Sequence, residues 1–107
     1  MYILSMSRRD FFFIELLIEK LDQGFYEWRA EASGGGVILE EGNGDSIKDC
    51  IRAARSILGA AHAVELRYDG YCAGTFTGTQ IIESPELYAA KASDVTRYFK
   101  AVEASLF

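Results

Sequence analysis

Apolar side chains recur at every second position from residue 12 to residue 18. Phe12, Ile14, Leu16 and Ile18 fall on one face, which is the period of a strand. Phe11, Phe13 and Leu17 share the other face with Glu15 and Glu19. The segment Phe11 to Lys20 is therefore apolar on both sides. Leu16 and Leu17 also fit a helical stripe, but three consecutive Phe and two Ile favour a strand. After a turn at Leu21-Asp22-Gln23-Gly24 the alternation resumes. Tyr26, Trp28, Ala30 and Ala32 face one way and Glu27, Arg29 and Glu31 the other, the pattern of a half-buried antiparallel strand. Ser33-Gly34-Gly35-Gly36 predicts a turn, and Val37 to Glu41 a short third strand. Ser46, with Asp49 three residues on, opens a helix in a variant of the capping box. Ile47, Cys50, Ile51, Ala54 and Leu58 form its apolar stripe, and Gly59 suits its C-terminal end.

The pattern then begins again. Val64, Leu66 and Tyr68 alternate with Glu65, Arg67 and Asp69. Asp69-Gly70 is a strong two-residue hairpin signal, with Tyr71 to Thr77 as the return strand. Gln80 to Glu83 reads as another short strand, ended by Ser84-Pro85 because proline lacks a donor. Ser93 caps a last helix with Val95, Tyr98, Phe99, Val102 and Leu106 as its stripe.

These elements predict an α+β fold: two β-β-β-α tandem units forming an antiparallel sheet, with two helices packed on one face. Residues 1–10 read as a leader segment, in which Met6 is an alternative start to Met1. Residues 11–107 read as a single domain made of two repeats, 11–59 and 62–107. Two units are too few for a solenoid, which needs three or more, and they predict one shared pseudo-twofold core.

The run Tyr26-Glu27-Trp28-Arg29-Ala30-Glu31-Ala32, a glycine turn and Val37-Ile38-Leu39 resemble the signature of the small YegP-like domain family. Ile81-Ile82-Glu83-Ser84, Glu86-Leu87-Tyr88 and Lys91 resemble its second half. Gly34-Gly35-Gly36 and Thr77-Gly78-Thr79 depart from the Asn-Gly turn of that family, and the first unit has no counterpart of Tyr88. The resemblance would cover residues 12–105. It implies a tandem or paired fold and no particular reaction.

Composition narrows the function classes. The chain has 107 residues with 11 Lys and Arg against 16 Asp and Glu, a net charge of −5. Non-specific nucleic-acid binding needs a surplus of basic residues to displace phosphate counterions, so it is disfavoured. Two Cys and one His make neither a disulfide scaffold nor a structural zinc site. Cys50 and Cys72 read as buried free thiols in a cytoplasmic protein. Phe11-Phe12-Phe13-Ile14 after Arg8-Arg9 has the start of a signal peptide, but Glu15 and Glu19 interrupt it and no small-residue cleavage site follows. No apolar run is long enough to span a membrane.

Little catalytic chemistry is visible. His62 sits in a small-residue connector and reads as a solvent-facing linker residue, since a catalytic Cys–His pair would need Cys50 or Cys72 beside it in space. Glu40 and Glu41, and Glu83 and Glu86, are neighbouring carboxylates read as solvated strand ends. Glu40, Glu41, Asn43 and Asp45 supply oxygen ligands but lack the spacing of an EF-hand loop. No catalytic, cofactor or metal residue is assigned. The expected function is a non-catalytic binding or assembly module acting through protein–protein contact. Its partner is a second copy in a homodimer or another protein, not nucleic acid and not a membrane. Phe11, Phe13 and Leu17 are the expected contact residues, with Tyr26 and Trp28 as anchors. The alternative is an acidic inhibitor that competes with nucleic acid for a basic protein. That alternative requires Glu15, Glu19, Glu27, Glu31, Glu40 and Glu41 to share one exposed face.

Overall fold

The computed structural model describes residues 13–33 and 36–106. Five strands form one mixed sheet in the order β3-β2-β1-β4-β5. These are β1 (Phe13–Asp22), β2 (Phe25–Ala32), β3 (Ile38–Gly44), β4 (Ala63–Tyr68) and β5 (Tyr71–Phe76). Among the described residues four helices accompany them, two between β3 and β4 and two after β5: α1 (Ile47–Ala53), α2 (Arg55–Gly59), α3 (Gly78–Glu83) and α4 (Pro85–Leu106). The protein is thus α+β, as the pattern predicts.

The two-residue period decides which side of each strand is buried. Ile14, Leu16 and Ile18 of β1, Trp28 and Ala30 of β2, and Val64, Leu66 and Tyr68 of β4 all point to one face. There they meet Cys50 and Ile51 of α1, Leu58 of α2, Ile81 of α3 and Tyr88 and Ala92 of α4 in one core. Burial of an aliphatic side chain of this size stabilises by about 1.5–3 kcal/mol. Thr96 is the buried polar residue of the described chain, and its hydroxyl donates to the Tyr68 carbonyl at 3.1 Å.

Local signals fix the joints. Ser46 accepts a hydrogen bond from the Asp49 amide at 3.1 Å and starts α1. Asp69 and Gly70 take φ of 50° and 88°, the left-handed pair that a tight hairpin needs. The Asp69 carboxylate also accepts from the Lys20 amide at 2.9 Å, tying the end of β1 to the β4–β5 turn.

Several elements differ from the sequence expectation. The sheet is mixed, because β1 pairs in parallel with β4 from Phe13↔Ala63 to Ile18↔Tyr68. Gln80 to Glu83 is helical, not a strand, so the second unit has no third strand. Thr77 caps this turn with a full capping box, its hydroxyl accepting from the Gln80 amide while the Gln80 side chain accepts from the Thr77 amide. The first helix breaks at Ala54 into α1 and α2. The last helix begins at Pro85, not Ser93, since proline is well suited to a first helical position. Its buried residues are Tyr88, Ala92 and Thr96, whereas Tyr98, Phe99, Val102 and Leu106 are exposed. Phe99 still stacks on Tyr71, at the start of β5, with ring centroids 5.8 Å apart.

Candidate functional site

All four helices pack on the face that carries Ile14, Leu16 and Ile18. Among the described residues no element covers the opposite face of the sheet. Residues opposite one another across a sheet point to the same side, so the register orders this open face into rows. In the middle row Leu17 of β1 stands between Arg29 of β2 and Arg67 of β4. Glu41 continues the row beyond Arg29, and Cys72 beyond Arg67. In the next row Glu15 stands between Glu31 and Glu65, with Ile38 and Thr75 at its ends. On the other side of Leu17, Glu19 lies opposite Glu27, and Asn43 follows. Phe13 closes the face at the start of β1 and is 39% exposed.

Two ion pairs run along the strands, symmetric about β1. Arg29 Nε contacts Glu31 at 3.0 Å and Arg67 Nε contacts Glu65 at 2.6 Å. The Glu65 hydrogen bond is the chief cause that holds the Arg67 guanidinium above its ordinary value. Each arginine thereby neutralises an outer glutamate and leaves Glu15 between them with no ion pair among the described residues. The face holds the six carboxylates Glu15, Glu19, Glu27, Glu31, Glu41 and Glu65 against the two guanidiniums of Arg29 and Arg67. Its centre is apolar through Leu17, which is half-buried.

The expected contact residues do not all meet here. Phe13 and Leu17 lie on the open face, and Phe11 lies outside the described residues. Trp28 is 3% exposed and belongs to the core. Tyr26 is half-buried on the same helix-covered side, its ring 6.3 Å from that of Tyr68. Neither can anchor a partner on the open face, because the side of β2 that carries them is the side the helices need. Of the six glutamates named from the sequence, five share the open face. Glu40 does not, because it lies opposite the core residue Ala30. Ile38, Glu65, Arg67 and Cys72 complete the face without having been singled out. Their signal was the alternation of β4 and the Ile-Leu pattern of β3, which became legible only once the strands were paired.

The other candidates stay apart. Glu40 and Glu41 point to opposite sides of β3, so Glu40, Glu41, Asn43 and Asp45 do not converge. Among the described residues no group of three or more His, Cys, Asp or Glu side chains is placed to hold a metal ion. No helix among them is long and apolar enough to cross a membrane. His62 is exposed in the connector before β4. Both cysteines are free: Cys50 is buried as expected, whereas Cys72 is exposed, because it lies opposite Arg67 on the side of the sheet away from the core.

Comparison with protein-family models, with curated proteins and with solved structures finds no match for this chain.

Proposed function

We propose that the chain is a non-catalytic protein-binding module, that its contact surface is the open sheet face, and that its partner is another, basic protein. The observation that supports this is the composition of that face: Phe13 and Leu17 set among six carboxylates and two arginines, with no covering element among the described residues. Apolar centres framed by charge are typical of protein contacts, and excess negative charge favours a cationic partner. A homodimer through this face is the weaker reading, because two-fold packing would set its six carboxylates against six more, offset by only two arginines on each side.

The sharing of one face by Glu15, Glu19, Glu27, Glu31 and Glu41, of which Glu19 and Glu41 are exposed and the other three half-buried, also supports the inhibitor reading. An acidic sheet of this kind competes with nucleic acid for the same basic surface. Two free thiols fit a reducing compartment, and we place the protein in the cytoplasm. The YegP-like resemblance adds a paired fold to this reading and no reaction.

The test uses a labelled peptide of alternating arginine and leucine, with binding followed by fluorescence anisotropy. Affinity is expected to fall at least tenfold between roughly 50 and 200 mM salt, as electrostatic contacts are screened. Glu15→Lys and Glu27→Lys are expected to weaken binding several-fold, and Glu40→Lys, which changes net charge equally from the other side of the sheet, to leave it nearly unchanged. Equal losses from all three variants would mean that only net charge matters, and the proposal would fail. A short DNA duplex bound to the same peptide is displaced by the protein if the inhibitor reading holds.

A further inference from the structure

A cleft lies on the helical side of the molecule. The helices come in two consecutive pairs, α1 and α2 joined at Ala54, and α3 and α4 joined at Ser84. A cavity of about 310 Å³ lies where the two joints face one another. Arg52 and Arg55 line it from the first pair, and Glu83 and Glu86 from the second. Ile51, which is 1% exposed, and Ile82 supply its apolar part.

The charges are segregated by wall and do not meet. Among the described residues the side chains of these two arginines and two glutamates make no hydrogen bond or ion pair. No guanidinium nitrogen of Arg52 or Arg55 comes within 4.0 Å of a carboxylate oxygen of Glu83 or Glu86. Two cations and two anions thus border one opening without neutralising each other. A ligand with a single charge gains at one wall and is repelled at the other. A ligand with both charges gains at both, and a guanidinium pair receives a carboxylate in a geometry that an ammonium cannot imitate. The volume lies at the small end of the range for ligand sites.

We infer that this cleft binds a small zwitterion, with its carboxylate against Arg52 and Arg55 and its ammonium against Glu83 and Glu86. The site is separate from the open sheet face, so its failure would leave the proposal for that face untouched. Its charged groups are exposed, and exposed ion pairs are individually weak. A dissociation constant on the order of 1 mM is therefore expected.

The experiment is a chemical-shift titration of the full chain with leucine, β-alanine and γ-aminobutyrate, whose charges are increasingly far apart. Leucinamide and N-acetylleucine serve as single-charge relatives. At least one zwitterion is expected to saturate shifts at Ile51, Ile82 and their neighbours, with both single-charge compounds at least tenfold weaker. Arg52→Gln with Arg55→Gln, and Glu83→Gln with Glu86→Gln, are each expected to lower the affinity at least fivefold with the spectrum otherwise retained. Absence of saturable shifts at about ten times the expected constant for every zwitterion, or equal binding of the single-charge compounds, overturns the inference.

Discussion

The Trp28 indole lies directly over Gly42, its partner across the β2–β3 ladder. A Cβ on Gly42 would stand 2.9 Å from Trp28 Nε1 and 3.1 Å from Cε2 and Cζ2. The same Nε1 is buried without a hydrogen-bond partner among the described residues. The ring therefore occupies a slot that only glycine leaves open, and it gives up its polar handle to do so. This explains why an indole that looked like a contact anchor is a core residue. Gly42→Ala forces the ring off its place and is expected to destabilise by about 1–3 kcal/mol, the usual range for overpacking. A urea unfolding curve with unchanged slope and lowered midpoint checks this. An unchanged midpoint would show that the ring moves aside freely.

Gly78 is a more severe case. It opens α3, and a Cβ there would lie 1.9 Å from the Leu58 carbonyl oxygen and 2.7 Å from that of Ala61. The clash is with backbone, so neither partner can rotate away. Gly78→Ala is expected to cost about 3 kcal/mol or more, at the top of the overpacking range. The neighbouring Thr77→Ala removes only the cap and is expected to cost about 1 kcal/mol. Thermal unfolding of the two variants side by side separates close helix packing from capping. Equal effects would mean that α3 is not seated on the end of α2.

These two positions also show what the chain makes legible. The alternations of Ile14/Leu16/Ile18, Trp28/Ala30 and Val64/Leu66/Tyr68 carry the strands, because a strand's side chains have a strict period of two. The Asp69-Gly70 turn and the Ser46 cap are local chemistry and could be read directly. Gln80 to Glu83 was not legible as helix from its apolar pair, since a four-residue segment fits both periods. The decisive signal was the Thr77-to-Gln80 spacing, a capping box hidden in what reads as a turn. Pro85 was ambiguous in the same way, as a strand breaker and as a helix starter. The parallel pairing of β1 with β4 depends on the crossover through α1 and α2, which no local pattern encodes. The open face was half legible. Alternation groups Glu15 with Leu17 and Glu27 with Arg29, but only the register sets them in rows, and only helix packing decides which side stays open.

Stability is expected to decline in alkali through two buried acids. Burial, and then the adjacent Asp49 charge, push the Cys50 thiol from 9.0 up to about 11. Burial, and then Asp69, push the Tyr68 hydroxyl from 10.0 up to about 12. Both groups are favoured in their neutral form by the fold, so the unfolded chain loses each proton first. The stabilisation is complete below about pH 9 and is lost between about pH 9 and pH 12. Urea midpoints across this range should fall, and Cys50→Ala should flatten the part between about pH 9 and pH 11, although it lowers stability at every pH. At neutral pH a thiol reagent should label Cys72 in the native protein and Cys50 only in denaturant. A midpoint that stays level to pH 12 would mean that neither group is shielded as the fold implies.

Salt distinguishes the possible occupants of the open face, because the two cases depend on it with opposite signs. A basic partner is drawn to Glu15, Glu19 and Glu27 by attraction that salt screens, so its affinity falls as salt is added. A second copy on the same face brings six carboxylates against six, offset by only two arginines on each side. Screening then relieves repulsion, and self-association through Phe13 and Leu17 strengthens as salt is added. Light scattering across a gel-filtration peak at about 50 mM and about 500 mM salt, on either side of a Debye length near 8 Å, reads the difference. The expected result is a monomer at low salt that remains a monomer at high salt. A dimer appearing only at high salt, and abolished by Leu17→Glu, would instead assign the face to a second copy. A dimer indifferent to salt would place self-association elsewhere, and the exposed Phe99, Val102 and Leu106 of α4 would be the first positions to substitute.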